Sequence, residues 1–288
     1  MKMKMKMTLA AGALALAFAG QASAAIVTGN SYANNLVLTV WDQTSLTSFT
    51  ANLGATMQSF LTGAGVTFGG TKTAPAITGT APTAAANFSF TDAALTSYLA
   101  TASANTTWAV TAVNLGILGY GTSGLMTTTT AAAMPITIAT NSISAIQNAN
   151  NVYLATVNPS MGAATTFSTT AATGGMAYAG ATSNGMGSNF GGVLPVTNTA
   201  AIGASQNFFF LTPTANTRGS YVGAAAYQFA NATGGAATWT LAANGTLSYA
   251  AAVAPVPEPG EWLLMLSGLA LIGFIATRRK DEGSVTFA

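Results

Sequence analysis

Side chains that could carry out acid–base, nucleophilic or metal chemistry are few in this sequence. It has no histidine and no cysteine. Their absence excludes Ser-His-Asp and Cys-His nucleophile pairs, zinc bound by His or Cys, iron–sulfur clusters and His-ligated haem. Between residues 25 and 254 the only carboxylates are Asp42 and Asp92. A glycosidase-like acid/base pair would therefore have to consist of these two residues.

Each aspartate also occupies a position that predicts a local structural role. Asp92 precedes a segment with helical apolar periodicity, where an aspartate side chain caps the helix N-terminus. Asp42 ends a strand-like run before Gln43-Thr44-Ser45, where the carboxylate closes a turn. A weak Ca²⁺ site made of an aspartate oxygen and carbonyls is an alternative. We expect no enzymatic activity, no cofactor and no metal, and an exported hydrolase using both aspartates is the least favoured function.

Three tryptophans are the aromatic residues that could form a platform for stacking sugar rings. Trp41, Trp108 and Trp239 each lie inside a strand-like run, where a large aromatic side chain is more often part of the core. If they were exposed, the protein would be a carbohydrate-binding module. This is the alternative to the function inferred below.

Charged residues make up only 5% of the 288 positions, against about 25% in an ordinary globular protein. Ten of the fourteen lie at the two ends of the chain, and the stretch 25–254 holds only Asp42, Lys72, Asp92 and Arg218. No cluster of cations along this stretch could follow a phosphate backbone. We therefore expect no nucleic-acid partner.

The N-terminus has the three parts of a secretory signal peptide. Lys2, Lys4 and Lys6 precede an apolar run over 8–20, and the small residues Ala22 and Ala24 flank Ser23. The run of about 13 residues would cover only about 20 Å as a helix, too short to span a bilayer comfortably. We predict a signal helix over 1–24, cleaved by signal peptidase after Ala24.

The C-terminus combines a proline-rich segment, an apolar run and a basic cluster. After Ala254 come Pro255-Val256-Pro257-Glu258-Pro259-Gly260-Glu261, an apolar run over 262–277 and Arg278-Arg279-Lys280. Alternating prolines hold an extended, accessible segment that an enzyme can bind as a strand. The 16-residue run predicts a marginal transmembrane helix, and the basic cluster places its far end, with the tail 281–288, in the cytoplasm.

This tripartite tail resembles the PEP-CTERM sorting signal of Gram-negative bacteria. The resemblance covers only about residues 255–280. It implies that Val256, Pro257, Glu258, Pro259 and Gly260 are a motif recognised by the membrane enzyme exosortase, and that Arg278, Arg279 and Lys280 are the basic stop. The eight residues after the stop depart from the family's pattern, in which the tail ends sooner. The resemblance also implies a polysaccharide-rich matrix, and hence exopolysaccharide, as the partner.

Strand-like runs bounded by Gly, Asn and Thr dominate the body over 25–254. The candidates are 36–41, 108–115, 135–139, 207–211, 225–229, 238–241 and 247–251. Asn244-Gly245 between the last two predicts a type I′ hairpin, since both turn positions need positive φ. Two short helices are predicted over 92–102 and 142–156, and the Gly-rich stretch 161–195 is predicted to be an irregular loop.

These patterns predict a mainly β fold, a β-sandwich-like body with one or two short helices. The ends add a signal helix and a transmembrane helix. The expected function is that of an exported, non-enzymatic protein, structural or adhesive, held transiently at the inner membrane and then delivered to the cell surface or extracellular matrix.

Overall fold

The computed structural model describes residues 26–27, 32–63, 88–114, 123–134, 138–161, 164, 166–170, 176–181, 186–213, 223–230, 235–250 and 267–272. The strands are β1 (Asn35–Asp42), β2 (Thr47–Thr56), β3 (Phe88–Phe90), β4 (Thr106–Asn114), β5 (Gly124–Thr129), β6 (Thr166–Thr170), β7 (Ala200–Ala201), β8 (Ser205–Pro213), β9 (Ala224–Gln228), β10 (Thr238–Leu241) and β11 (Leu247–Ala250). The helices are α1 (Met57–Gly63), α2 (Ala93–Leu99), α3 (Thr140–Met161) and the single turn α4 (Asn189–Gly192). The predicted mainly β class is confirmed.

All of these strands belong to one antiparallel sheet. Its order is β3-β11-β10-β8-β5-β4-β1-β2-β6, with β7 paired to β4 and β9 paired to β8. The prediction of a sandwich implied two separate sheets, whereas here β5 joins the two halves by pairing with both β4 and β8. Its sequence Gly-Leu-Met-Thr-Thr-Thr lacks apolar alternation, so periodicity does not predict this strand.

Both faces of the sheet are buried. One face carries an aromatic core that contains residues from strands at both ends of the sheet, so the sheet curls around it: Phe49, Trp108, Phe208, Trp239 and Tyr249 are among its members. α1 adds Phe60, whose ring contacts those of Phe208, Phe229, Trp239 and Tyr249. The other face is covered by α3 and by segments within 176–194.

Helix α2 connects the two ends of the curled sheet. It follows β3 at one end, and its Tyr98 hydroxyl donates to the Thr47 carbonyl of β2 at 2.9 Å near the other end. Its Thr96 hydroxyl donates to the Asn244 carbonyl in the β10–β11 turn at 3.2 Å.

The predicted hairpin is confirmed, but its turn type was wrong: Gly245 has a φ of 84° while Asn244 does not have positive φ. Gly245 N donates to the Ala242 carbonyl at 3.0 Å, as in a type I turn followed by a left-handed glycine.

Other predicted elements differ in extent. The helix predicted over 142–156 is the 22-residue α3, and α1 was not predicted. Of the run 135–139, residues 138 and 139 are described, and Ala139 forms an isolated bridge with Gly223. Within the stretch 161–195, which is predicted to be an irregular loop, the described residues include β6 and the buried residues Tyr178, Ala179 and Phe190.

The chain divides into two compact units, Met1–Ala252 and Val253–Ala288. In the second unit the structure describes residues 267–272, which are helical. Leu269, Leu271 and Ile272 there are 60–66% exposed. Among the described residues, no helix has both the length and the apolar character needed to cross a membrane. The rest of the predicted span 262–277 and the signal helix over 1–24 lie outside the described residues.

Candidate functional site

Asp42 ends β1 and closes a turn, as predicted. Its Oδ1 accepts from Thr44 N at 2.8 Å and from the Ser103 hydroxyl at 2.6 Å, and its Oδ2 accepts from Ser103 N at 2.8 Å. Burial alone would raise the pKa of this carboxyl, but the hydrogen bonds from Ser103, Thr44 and Ser45 outweigh it and hold the pKa well below its usual range. The carboxylate is therefore ionised and fully engaged in joining the β1–β2 turn to the segment before β4.

Asp92 is the N-cap of α2, as predicted. Its Oδ1 accepts from Ala94 N at 2.7 Å and from Leu95 N at 3.1 Å. Asp42 contacts Ser103, which follows the C-terminal end of this helix, whereas Asp92 lies at its N-terminal end. A helix of seven residues is about 10 Å long. The two carboxylates thus lie near opposite ends of α2, and each accepts hydrogen bonds from backbone N–H groups.

The three tryptophans are core residues. Trp108 and Trp239 lie on the aromatic face of the sheet, and Trp41 lies on the opposite face; none is more than 3% exposed. Trp108 Nε1 donates to the Ala201 carbonyl at 3.1 Å. The alternative that required exposed tryptophans as a stacking platform is therefore wrong for these three residues.

A cleft of about 350 Å³ lies where the β1–β2 turn meets the segments 176–181 and 186–191. It is lined by two aromatic residues, two exposed polar residues, two aliphatic residues and three glycines: Trp41, Tyr178, Gln43, Ser188, Leu46, Ala181, Gly180, Gly187 and Gly191. The Tyr178 hydroxyl donates to the Asp42 carbonyl at 3.2 Å, which fixes this ring beside the end of β1.

Gly180 makes the cleft wall possible. A Cβ at this position would lie 2.6 Å from the Tyr178 hydroxyl and 2.7 Å from Trp41 Cδ1. The absence of a side chain therefore lets the backbone pack directly against both rings. The sequence places Gly180 in a stretch predicted to be an irregular loop, and its neighbours Tyr178, Ala179 and Ala181 carry no pattern that identifies it as a wall of a cleft.

The rim of the cleft contains unusual backbone conformations. Leu46, Asn189 and Phe190 have φ values of 55°, 60° and 48°, and within the described ranges they are the non-glycine residues with positive φ. Gly191 and Gly192 continue the left-handed turn with φ values of 66° and 91°. Each non-glycine residue in this region costs about 1–2 kcal/mol. Such strain persists only where surrounding contacts hold it.

The described residues contain no group of three or more His, Cys, Asp or Glu side chains that could hold a metal ion. The predicted sorting residues Val256, Pro257, Glu258, Pro259, Gly260, Arg278, Arg279 and Lys280, and the cleavage-site residues Ala22 and Ala24, lie outside the described residues. Comparison of the chain with protein-family models, with curated proteins and with solved structures gave no match.

Proposed function

We propose that this chain is an exported, non-enzymatic protein of the cell surface or extracellular matrix, delivered by an exosortase-type sorting system. The observation that carries the proposal is the order of the C-terminal segments: the motif 256–260, the apolar run 262–277 and the basic stop 278–280. Signal peptidase removes residues 1–24, the apolar run holds the protein in the inner membrane, and exosortase then acts near Pro257-Glu258-Pro259. The mature protein serves a structural or adhesive role among exopolysaccharides.

The organisation of the body supports cleavage within the C-terminal tail. Its last strand, β11, ends at Ala250, and the first compact unit ends at Ala252. Cleavage near Glu258 would therefore leave every strand of the sheet intact. Both described aspartates of the body are occupied in backbone capping, which fits a role without catalysis.

Mass spectrometry of the protein from membrane, outer-surface and extracellular fractions tests the proposal. We expect a mature form that begins at Ala25 and ends near Glu258. A variant with Pro257, Glu258 and Pro259 all changed to Ala should stay in the membrane fraction with the apolar run attached. Pro255→Ala, which lies just outside the motif, should be processed normally.

Two results would contradict the proposal. A mature surface form that still carries residues 262–280 would make the tail an ordinary membrane anchor. Equal processing of the triple variant and the Pro255→Ala control would show that the Pro-Glu-Pro motif has no role in sorting.

A further inference from the structure

We propose that the cleft beside Trp41 binds one ring of a neutral saccharide. This inference deepens the proposed function by naming a binding site on the body, and it rests on that function for the source of the ligand. It differs from the platform of exposed tryptophans, because Trp41 is 3% exposed and reaches the cleft only by part of its ring.

The lining has the mixed polarity that a sugar ring requires. A pyranose has apolar C–H faces and a perimeter of hydroxyl groups. Trp41, Tyr178 and Leu46 supply apolar contacts, while the exposed side chains of Gln43 and Ser188 supply hydrogen-bonding groups. The volume of about 350 Å³ is at the small end of the range for ligand pockets. This size suits one sugar unit better than an extended peptide.

The electrostatics of the cleft favour a ligand without charge. No lining residue is charged, and the sequence from 171 to 200 contains no Asp, Glu, Lys or Arg. Asp42 lies next to the lining residues Trp41 and Gln43, and it is ionised. An anion would therefore be repelled. A cation would have to compete for this carboxylate with the hydrogen bonds that it already accepts from Thr44 and Ser103.

The strained rim is held in place before any ligand arrives. Phe190 is 2% exposed and anchors the left-handed turn in the core. Asn189 N donates to Asn198 Oδ1 at 2.6 Å, and Leu194 N donates to the Asn189 carbonyl at 3.0 Å. These contacts fix Ser188 and Gly191 on either side of the turn. A preformed rim lowers the entropic cost of binding a small polar ligand.

Isothermal titration calorimetry on the full-length chain in mild detergent tests the inference. The probes are the neutral oligosaccharides cellotetraose, mannotetraose and chitotetraose, and the anionic tetragalacturonate. We expect at least one neutral probe to bind, with no binding of tetragalacturonate. Gln43→Ala should weaken binding about fivefold, since one neutral hydrogen bond is lost, and Ser188→Phe should weaken it more than about tenfold by filling the cleft.

Asn148→Ala is the matched control, because Asn148 is an exposed amide on α3 and does not line the cleft. Its affinity should stay within about twofold of the unmodified chain. Gln43 is exposed, so its truncation tests the cleft even if Ser188→Phe fails to fold. The inference is overturned if no neutral probe binds, if only tetragalacturonate binds, or if Gln43→Ala and Asn148→Ala bind equally. None of these results depends on how the tail is processed.

Discussion

The change Asp42→Asn tests whether one buried carboxylate holds the β1–β2 turn to the segment after α2. Asparagine keeps the Oδ1 acceptor for Thr44 N and the Ser103 hydroxyl, but it places an NH₂ group where Oδ2 accepts from Ser103 N at 2.8 Å. Two donors then face each other in a site that is 1% exposed.

The expected loss of stability follows from these contacts. A buried donor left without an acceptor costs about 1–3 kcal/mol, and the two remaining bonds lose the strengthening that an ionised acceptor gives. We expect a loss of about 3 kcal/mol at pH 7. For a unit of this size that corresponds to a fall in Tm of roughly 6–12 °C.

Thermal unfolding, followed by tryptophan fluorescence, measures this loss of stability. Repeating the measurement at several pH values tests whether the charge of Asp42 is its cause. The pKa of Asp42 is lowered on folding, so its stabilisation is complete above the unfolded pKa of about 4 and is lost as the pH falls through the folded pKa. The difference between the two proteins should therefore be full at pH 7 and shrink only in strong acid.

Asp92→Asn is the control, since asparagine is as good an N-cap as aspartate and Asp92 uses only Oδ1 on the backbone. It should change stability by less than about 0.5 kcal/mol. Equal, small effects of the two substitutions at pH 7 would refute the role assigned to Asp42.

Two further predictions follow from the packing around α2. Gly245→Ala should destabilise the protein by about 2–3 kcal/mol, because φ is 84° and the new Cβ would lie 2.6 Å from the Thr96 hydroxyl. Gly203→Ala, at a φ of 87° with open space around it, should cost only about 1 kcal/mol. Denaturant titrations of the two variants measure both losses, and equal losses would contradict the clash. Burial raises the pKa of Tyr98 to about 12, so its contribution to stability is complete below the unfolded pKa of about 10 and is lost as the pH rises through about 12. Between about pH 9 and pH 12 the Tyr98→Phe variant should therefore lose less folding stability than the unmodified chain, as measured by denaturant titration at each pH, and an equal loss in the two proteins would contradict this.

The parts of the fold that the sequence predicts are those that depend on neighbouring residues. The capping role of Asp92, the turn after Asp42 and the hairpin at Asn244-Gly245 all involve contacts within a few positions. Strand β2 was missed although Phe49, Ala51 and Leu53 alternate with polar residues. Serine and threonine on its other face are also buried, which the alternation of apolar and polar residues does not indicate, since it is typical of a strand with one face in solvent.

The cleft could not be predicted, because its walls are far apart in the sequence. Its lining combines residues 41–46 with residues 178–191. Their proximity depends on the bond from Tyr178 to the Asp42 carbonyl and on the bond from Ala179 N to the Ser48 hydroxyl. Positive φ at Asn189 and Phe190 is equally invisible in sequence, since asparagine only tolerates this region and phenylalanine avoids it.

The low charge of the body has a consequence for stability. Among the described residues, buried hydroxyl and amide groups connect separate elements: Thr50 and Tyr153 share a hydrogen bond of 2.6 Å between β2 and α3, and Asn34 donates to the Val113 carbonyl at 2.6 Å. Because these groups are neutral at ordinary pH, salt does not screen the bonds between them. Asp42 titrates below the usual range and Tyr98 above it, and the chain has no histidine. Folding stability should therefore be nearly constant between about pH 5 and pH 9, which is compatible with the extracellular role proposed above.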